Sequence, residues 1–222
     1  MSFKPSIAII DYGSGNLRSV YKAFERVLKD HEVNADLAFI TQKEDLKQAS
    51  HIVLPGVGAF ADCAHGLQSL EGMWDGLNEA VMHQGKPFLG ICVGMQLMAK
   101  AGHEHQICEG FGWLDGDVKP IQPQDPLLKI PHMGWNMLKQ HQPHPLLKGI
   151  LLGDKGLHAY FVHSYAMTLS PSAQETIIAS CDYGGDIAAF VGRDNIAGTQ
   201  FHPEKSQTLG LSLIHNFIKW RP

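Results

Sequence analysis

An apolar run that ends at a cysteine between two glycines constrains the fold of this chain more than any other feature. Residues 87–96 read PFLGICVGMQ, so Cys92 lies two residues from both Gly90 and Gly94. A nucleophile on a sharp strand-to-helix turn projects beyond the sheet, and glycines at these two positions let the strand and the helix pack closely. The pattern predicts a buried strand over 88–91, an elbow at Cys92 and a helix over 95–101.

Cys92 is therefore the first candidate nucleophile. At a helix N-terminus, partial positive charge and unpaired N–H groups favour the thiolate form of a cysteine. The backbone N–H of Val93 is a natural donor to an oxyanion that forms beside the sulfur. A buried and inert thiol is the common alternative for a free cysteine, but the flanking glycines favour the nucleophile.

A candidate base and a group to orient it lie far along the chain, where residues 198–206 read GTQFHPEKS. In an extended segment His202 and Glu204 project to the same side, because side chains alternate along a strand. Glu204 could then hold one imidazole nitrogen while the other faces Cys92. Pro203 cannot donate a ladder hydrogen bond, which fits a strand that ends here. The alternative is a histidine and a solvated glutamate in a surface turn.

A third motif is the apolar run at 51–54, which continues into PGVGAF at 55–60. Two glycines after a strand let the backbone turn tightly and present amides to a ligand. We expect the loop at Val57 and Gly58 to supply a second oxyanion donor. Taken alone, this pattern is more often an ordinary tight turn.

Strand and helix patterns alternate along the first half of the chain. The patterns predict strands over 6–10, 37–40, 51–54 and 88–91, and helices over 17–28, after a capping box from Thr41 to Glu44, and over 62–83 with an interruption near Gly72. Such alternation is typical of a parallel sheet covered by helices on both faces, whose ligands bind at the carboxyl ends of the strands.

The second half consists mostly of predicted strands joined by turns. They cover 118–121, 133–138, 159–166, 176–180, 187–191 and 196–201, and an amphipathic helix follows over 209–220. We expect an α/β fold with an open, mostly parallel central sheet and extra antiparallel strands in the second half. No linker or repeat divides the chain, which predicts a single domain over residues 1–222.

Composition excludes several classes of function. A net charge of −4 over 222 residues gives no reason to expect nucleic acid or an anionic membrane as a partner. No stretch has the length and apolarity of a membrane span or the pattern of a signal peptide. The four cysteines form no C-x-x-C pair, so neither a zinc site nor a disulfide framework is indicated. A reducing cytoplasm is the expected location, since a thiolate nucleophile needs it.

Together, the PGVG loop, the Gly-x-Cys-x-Gly elbow with Gln96, and the His-Pro-Glu motif resemble those of the class I, or triad, glutamine amidotransferases. The segments DYGSGNL at 11–17, PHMGWN at 131–136 and YFVHSY at 160–165 are similar to those of the glutaminase subunits of imidazole glycerol phosphate synthases. The resemblance covers essentially the whole chain. It implies hydrolysis of glutamine through a glutamyl thioester at a Cys92, His202 and Glu204 triad, with no cofactor or metal. It also implies a heterodimer with a (β/α)₈ barrel cyclase subunit that receives the ammonia.

The same resemblance assigns further residues by position. It implies that glutamine contacts Gly56, Gln96, Glu104, His163 and Ser164. It also implies that the partner subunit faces Asn16, Met133, Trp135 and Lys205.

Other interpretations stay open for several of these residues. Glu104 could equally be a solvated acid, Asn16 a helix cap and Trp135 a core residue. The run GSGN at 13–16 could bind phosphate at a helix N-terminus, although it lacks the full dinucleotide fingerprint.

Three other functions also remain. A paralogous amidotransferase could feed ammonia to a different synthase. A stand-alone cysteine hydrolase could act on peptides or γ-glutamyl compounds. The third alternative is a catalytically inactive binding subunit, which the intact candidate triad disfavours.

Overall fold

A central eight-stranded sheet organises residues 4–222, the part of the chain that the computed structural model describes. Its strands are β1 (Ser6–Ile10), β2 (Asp36–Ile40), β3 (His51–Gly56), β4 (Phe88–Cys92), β9 (Lys139–Gln140), β12 (Ile177–Asp182), β13 (Asp186–Arg193) and β14 (Ile196–Thr199). The strand order is β2-β1-β3-β4-β14-β13-β12-β9. The pairs from β2 to β14 are parallel, and those from β14 to β9 are antiparallel.

Two smaller sheets contain the remaining strands. They are β5 (Ala101–Glu104), β6 (Gln106–Glu109), β7 (Gly116–Pro120), β8 (His132–Met137), β10 (His158–His163) and β11 (Tyr165–Leu169). Strand β8 pairs with β10, and the other four form a sheet in the order β11-β7-β5-β6. The predicted α/β class, with a mostly parallel part and antiparallel strands in the second half, is confirmed.

The helices lie on both faces of the central sheet. They are α1 (Leu17–Asp30), α2 (Phe60–Ser69), α3 (Met73–Asn78), α4 (Val93–Gln96) and α5 (Gln207–Lys219). The crossover through α1 leads from β1 toward one edge, whereas the crossover through α2 and α3 leads from β3 in the opposite direction. Right-handed crossovers in opposite directions place their helices on opposite faces. Helix α5 packs on α1, where the rings of Phe24 and Phe217 meet edge to face at 6.3 Å. Within residues 4–222, no helix is both long and apolar enough to cross a membrane.

Three local predictions are wrong. The strand predicted over 159–166 is interrupted at Ser164, and its two parts, β10 and β11, pair with β8 and β7 in different sheets. Thr41 and Glu44 form no capping box, because a short 3₁₀ helix (Lys43–Lys47) begins after Gln42 without a side-chain cap. The helix predicted over 95–101 ends at Gln96 instead. The carbonyl groups of Leu97 to Lys100 accept hydrogen bonds from the backbone at 110–114 rather than from a continuing helix. Tertiary pairing thus overrides local helix propensity.

The elbow at Cys92 has the predicted geometry. Cys92 adopts φ 54° and ψ −109°, outside the conformations common for residues with a side chain. A Cβ atom on Gly94 would lie 1.8 Å from the carbonyl oxygen of Leu54, and one on Gly90 would lie 2.5 Å from the carbonyl oxygen of Gly94. The two glycines therefore allow α4 to begin directly against β3 and β4.

We predict that Gly94→Ala lowers the free energy of unfolding by at least about 3 kcal/mol, since the methyl group would overlap fixed backbone. Chemical denaturation would measure the loss. Gly76→Ala in α3 is a matched control, because its methyl group would meet mainly side-chain carbons at 3.1 Å and alanine favours a helix by about 1 kcal/mol. Equal stabilities of the two variants would contradict this account of the elbow.

Candidate active site

A cavity of about 560 Å³ opens where the carboxyl ends of β3 and β4 meet the turn after β14. All the predicted site residues line it except Gly56, Glu204, Met133 and Trp135. Gly56 lies just behind the cavity wall. A Cβ atom on Gly56 would lie 2.7 Å from the backbone nitrogen of Gly94. The fold thus brings together side chains that are far apart in the sequence.

His202 and Glu204 form a buried pair beside Cys92. The imidazole Nδ1 lies 2.7 Å from Oε1 of Glu204, and the two side chains are 1% and 0% exposed. The segment is not extended: Pro203–Lys205 is a 3₁₀ turn, and β14 already ends at Thr199. The turn nevertheless brings carboxylate and imidazole together, so the interpretation as a solvated surface turn is wrong.

The electrostatics of His202 favour its charged form. Burial alone lowers the pKa of the imidazole, but interactions with Cys92 and with Glu204 outweigh burial and raise the pKa to about 9. Nε2 is buried and has no hydrogen-bond partner among residues 4–222. Cys92 is nevertheless close enough to contribute to the raised pKa of His202. Nε2 is the atom left free to exchange a proton at this site.

Asn16 reaches the same carboxylate. It precedes α1 with φ 72°, and its side chain does not cap the helix. Its Nδ2 instead donates to Oε1 of Glu204 at 2.5 Å. The interpretation of Asn16 as a simple helix cap is wrong, because the side chain connects the loop at 13–16 to the His202 and Glu204 pair.

The two candidate oxyanion donors, the N–H groups of Val57 and Val93, have different surroundings. The N–H of Val57 donates to the hydroxyl of Ser14 at 3.1 Å, and the carbonyl of Val57 accepts from the thiol of Cys63 at 3.5 Å. The Val57 N–H is thus already engaged by the loop at 13–16. Val93, the other candidate, is the first residue of α4 and lines the cavity. Ser14 lies in the GSGN run, which suggested phosphate binding in the sequence but not a contact with Val57.

Glu104 and His163 have protein partners within the cavity wall. Oε2 of Glu104 accepts the N–H of Phe60 at 2.9 Å, in the first turn of α2, so Glu104 is not simply a solvated acid. His163 uses both ring nitrogens, with Nδ1 2.9 Å from the carbonyl oxygen of Tyr165 and Nε2 3.0 Å from Nδ1 of His132. No ring nitrogen of His163 is left for a ligand.

The residues expected to face a partner lie on the surface around the cavity. Met133 and Trp135 are 62% and 48% exposed, on the same face of β8. The interpretation of Trp135 as a core residue is therefore wrong. Lys205 is exposed and lies over the ring of Tyr160, 5.6 Å from its centre.

Comparison with known proteins places this chain in a family. A model described as glutamine amidotransferase class-I matches residues 8–220. The imidazole glycerol phosphate synthase subunit HisH of Mesorhizobium japonicum is 55% identical over 216 residues, which cover 97% of this chain and 99% of that protein. The subunit of the same name from Rhizobium meliloti is 56% identical with the same coverage.

Solved structures show the same fold at low identity. A glutamine amidotransferase aligns with a TM-score of 0.67 at 18% identity, over 96% of this chain and 97% of its own. A second, from Methylobacillus flagellatus, aligns with a TM-score of 0.56 at 17% identity, over 94% and 73%.

We predict that Glu204→Gln lowers the pKa of the His202 imidazole from about 9, because it removes the negative charge beside Nδ1. NMR titration of the imidazole resonances would measure the change. His132 serves as an internal control, since burial lowers its pKa to about 4 and its ring nitrogens contact His163 and Asn136 rather than Glu204. An unchanged titration of His202 would show that Glu204 does not support its charge.

Proposed function

Because the chain belongs to the class I glutamine amidotransferase family, we propose that Cys92, His202 and Glu204 form its catalytic triad. Its similarity to HisH proteins over 97% of its length identifies it as the glutaminase subunit of an imidazole glycerol phosphate synthase, an enzyme of histidine biosynthesis. The observation that supports the triad most directly is the buried Nε2 of His202, which has no hydrogen-bond partner in the described residues while Nδ1 is held by Glu204.

The first half of the reaction breaks the carboxamide bond. The thiolate of Cys92 attacks the carboxamide carbon of glutamine, and the carbonyl oxygen becomes an oxyanion. The imidazolium of His202 donates its Nε2 proton to the nitrogen, which leaves as ammonia while a glutamyl thioester remains on Cys92. Glu204 holds Nδ1 and stabilises the imidazolium, as the third member of such triads does.

The second half releases glutamate. Neutral His202 accepts a proton from a water molecule, which attacks the thioester carbon through a second oxyanion. This proton transfer regenerates the imidazolium. Collapse of the intermediate then breaks the C–S bond, expels the thiolate of Cys92 and releases glutamate, whose carboxyl proton passes to solvent. Glu104 lines the cavity beside the start of α2, and its carboxylate suits the amino group of glutamine.

The oxyanion hole depends on Val57 and Val93. The N–H of Val57 is held by Ser14, so it is not available to an oxyanion until that bond breaks. One missing donor costs on the order of 10² to 10³ in rate at comparable sites. We therefore propose that the subunit alone is slow and that its partner completes the hole through the loop at 13–16.

The partner we propose is a cyclase subunit that forms a heterodimer with this chain. The exposed apolar side chains of Met133 and Trp135, with Asn16 and Lys205 at the cavity rim, are its proposed contact residues. Direct transfer of ammonia matters because free ammonia is mostly protonated, and so not nucleophilic, at neutral pH. A cytoplasmic location is part of the same proposal, since the free thiol of Cys92 requires a reducing compartment.

Two rival functions predict different behaviour. A paralogous amidotransferase would hydrolyse glutamine at Cys92 but would respond to a different synthase. A stand-alone hydrolase of peptides or γ-glutamyl compounds would work at full rate without a partner.

We predict that Cys92→Ala abolishes release of glutamate from glutamine and that Glu204→Gln lowers kcat about 10²- to 10⁴-fold. Chromatographic measurement of glutamate provides the rates, and intact-mass analysis of acid-quenched protein detects the glutamyl thioester. The exposed acid variant Glu175→Gln is the control and should retain wild-type kcat. Glutamate release by Cys92→Ala at the wild-type rate would disprove the triad.

We predict that Ser14→Ala raises the partner-free rate of glutamine hydrolysis by about 2- to 10-fold, because one hydrogen bond no longer holds the N–H of Val57. Ser14→Thr keeps the hydroxyl and is the matched control. Initial rates at saturating glutamine measure the effect. A rate for Ser14→Ala at or below that of Ser14→Thr would argue against a restraint on Val57.

We predict that glutamine hydrolysis declines above pH 9, whereas alkylation of Cys92 by iodoacetamide does not. The pKa of His202 is raised to about 9, so above this pH the imidazole lacks the proton that ammonia must receive. Alkylation needs a thiolate but no proton donor. The two pH profiles are compared on one protein sample, and a parallel decline of both would contradict the role of His202 as the acid.

A further inference from the structure

Gln200 lies between the strand that leads to the site and the proposed acid, yet no part of the mechanism uses it. It is fully buried, and its backbone N–H donates to the carbonyl of Ala189 at 2.9 Å. The N–H of His202 donates in turn to the carbonyl of Tyr160 at 2.9 Å. Both ends of this short segment are therefore held by neighbouring strands, which fixes where the side chain of Gln200 points.

The side-chain amide of Gln200 connects the nucleophile to the cavity wall. Its Nε2 lies 3.6 Å from the sulfur of Cys92. Its Oε1 lies 3.0 Å from Nε2 of Gln96, and that same nitrogen lies 3.0 Å from the carbonyl oxygen of Tyr165. The amides thus form a continuous chain from the sulfur to β11.

The direction of each hydrogen bond in this chain follows from one atom. The carbonyl oxygen of Tyr165 can only accept, so the group of Gln96 that faces it must be the NH₂ group. The group of Gln200 that faces Gln96 must then be the oxygen, which leaves the NH₂ group of Gln200 directed at the sulfur. Cys92 is therefore an acceptor in this contact.

The same carbonyl also orients a pair of histidines. Nδ1 of His163 must donate to Tyr165, so its Nε2 accepts from Nδ1 of His132. Nε2 of His132 in turn accepts from Nδ2 of Asn136 at 3.3 Å. Burial lowers the pKa of both histidines to about 4, so both are neutral at physiological pH. The pair holds the backbone at 163–165 and adds no positive charge that would compete with His202.

We propose that Gln200 is a positioning residue for the Cys92 thiolate: it donates a hydrogen bond to the sulfur and holds Gln96 against Tyr165. The inference rests on the proposed function, because it concerns the same nucleophile. A hydrogen bond to the charged form of a buried group favours that form. Gln200 contacts neither the carboxamide nor the oxyanion donors and acts only through Cys92 and Gln96.

Two variants of Gln200 separate this role from simple packing. Gln200→Met keeps the volume but removes both polar contacts. Gln200→Glu keeps an acceptor for Gln96 and replaces the donor to sulfur with a carboxylate oxygen. Thr199→Val is the matched control, since Thr199 is equally buried and its hydroxyl has no hydrogen-bond partner in the described residues.

The decisive readout is the pH profile of alkylation of Cys92 by iodoacetamide, followed by mass spectrometry of the peptide that contains Cys92. This reaction requires no glutamine and no partner subunit. We expect the midpoint of the profile to move to higher pH in both Gln200 variants, further in Gln200→Glu, and to stay unchanged in Thr199→Val. Loss of a hydrogen bond to a charged group corresponds to about a 10- to 100-fold lower alkylation rate at neutral pH.

Steady-state kinetics with glutamine provide the second readout. We expect kcat to fall by about the same factor in Gln200→Met, with KM within about 3-fold of wild type. An unchanged alkylation profile in Gln200→Glu would overturn the proposal, even if Gln200→Met fails to fold. Failure of the proposed function is distinct, because Cys92→Ala would then still hydrolyse glutamine while the alkylation profiles remained informative.

Discussion

The thiol of Cys92 faces the cavity only because its backbone adopts φ 54° and ψ −109°, a conformation that costs a residue with a side chain about 1–3 kcal/mol. Close packing of the neighbouring backbone maintains this conformation of Cys92. Without side chains at Gly90 and Gly94, α4 begins directly against β4, and Gly56 lets the neighbouring strand approach the same turn. The remaining site is built around this fixed sulfur, since β3 leads into the Val57 loop and β14 leads into the segment that contains Gln200 and His202.

The site contains a buried pair of charged side chains, His202 and Glu204. It also contains a candidate oxyanion donor, the N–H of Val57, that is hydrogen-bonded to Ser14. His202 is held as an imidazolium by Cys92 and Glu204, so the proposed proton donor is charged before substrate binds. The N–H of Val57 is turned to Ser14, and Ser14 belongs to the same loop as Asn16, which contacts Glu204. One surface loop therefore touches both the proposed oxyanion donor and the triad. A partner that moves this loop could act on the chemistry without contact with glutamine.

The sequence was sufficient to predict the parallel half of the sheet and the elbow, because each depends on a local pattern of glycine or apolar residues. The pairing of His202 with Glu204 was also predicted, but from an extended segment, whereas Pro203–Lys205 forms a 3₁₀ turn. The sequence was insufficient where contacts between residues far apart in the sequence determine the local structure. The helix after Cys92 is short because residues 110–114 take the carbonyls of Leu97 to Lys100. Ser14 lies in the GSGN run, but its contact with Val57 exists only once β1 and β3 are adjacent. The contact of Gln200 with Cys92 exists only once β4 and β14 are adjacent. Likewise, only the pairing of His163 with His132 reveals that the ring has no nitrogen left for glutamine.

We propose that the triad is assembled in the isolated chain, whereas the partner completes the oxyanion hole. The most direct test is glutamate release from glutamine by the purified protein, with and without the cyclase subunit of imidazole glycerol phosphate synthase and its nucleotide ligand, using Cys92→Ala as the blank. We expect a slow basal rate and a stimulation on the order of 10²- to 10³-fold. A Cys92-dependent rate that is already high and indifferent to the liganded cyclase would contradict it.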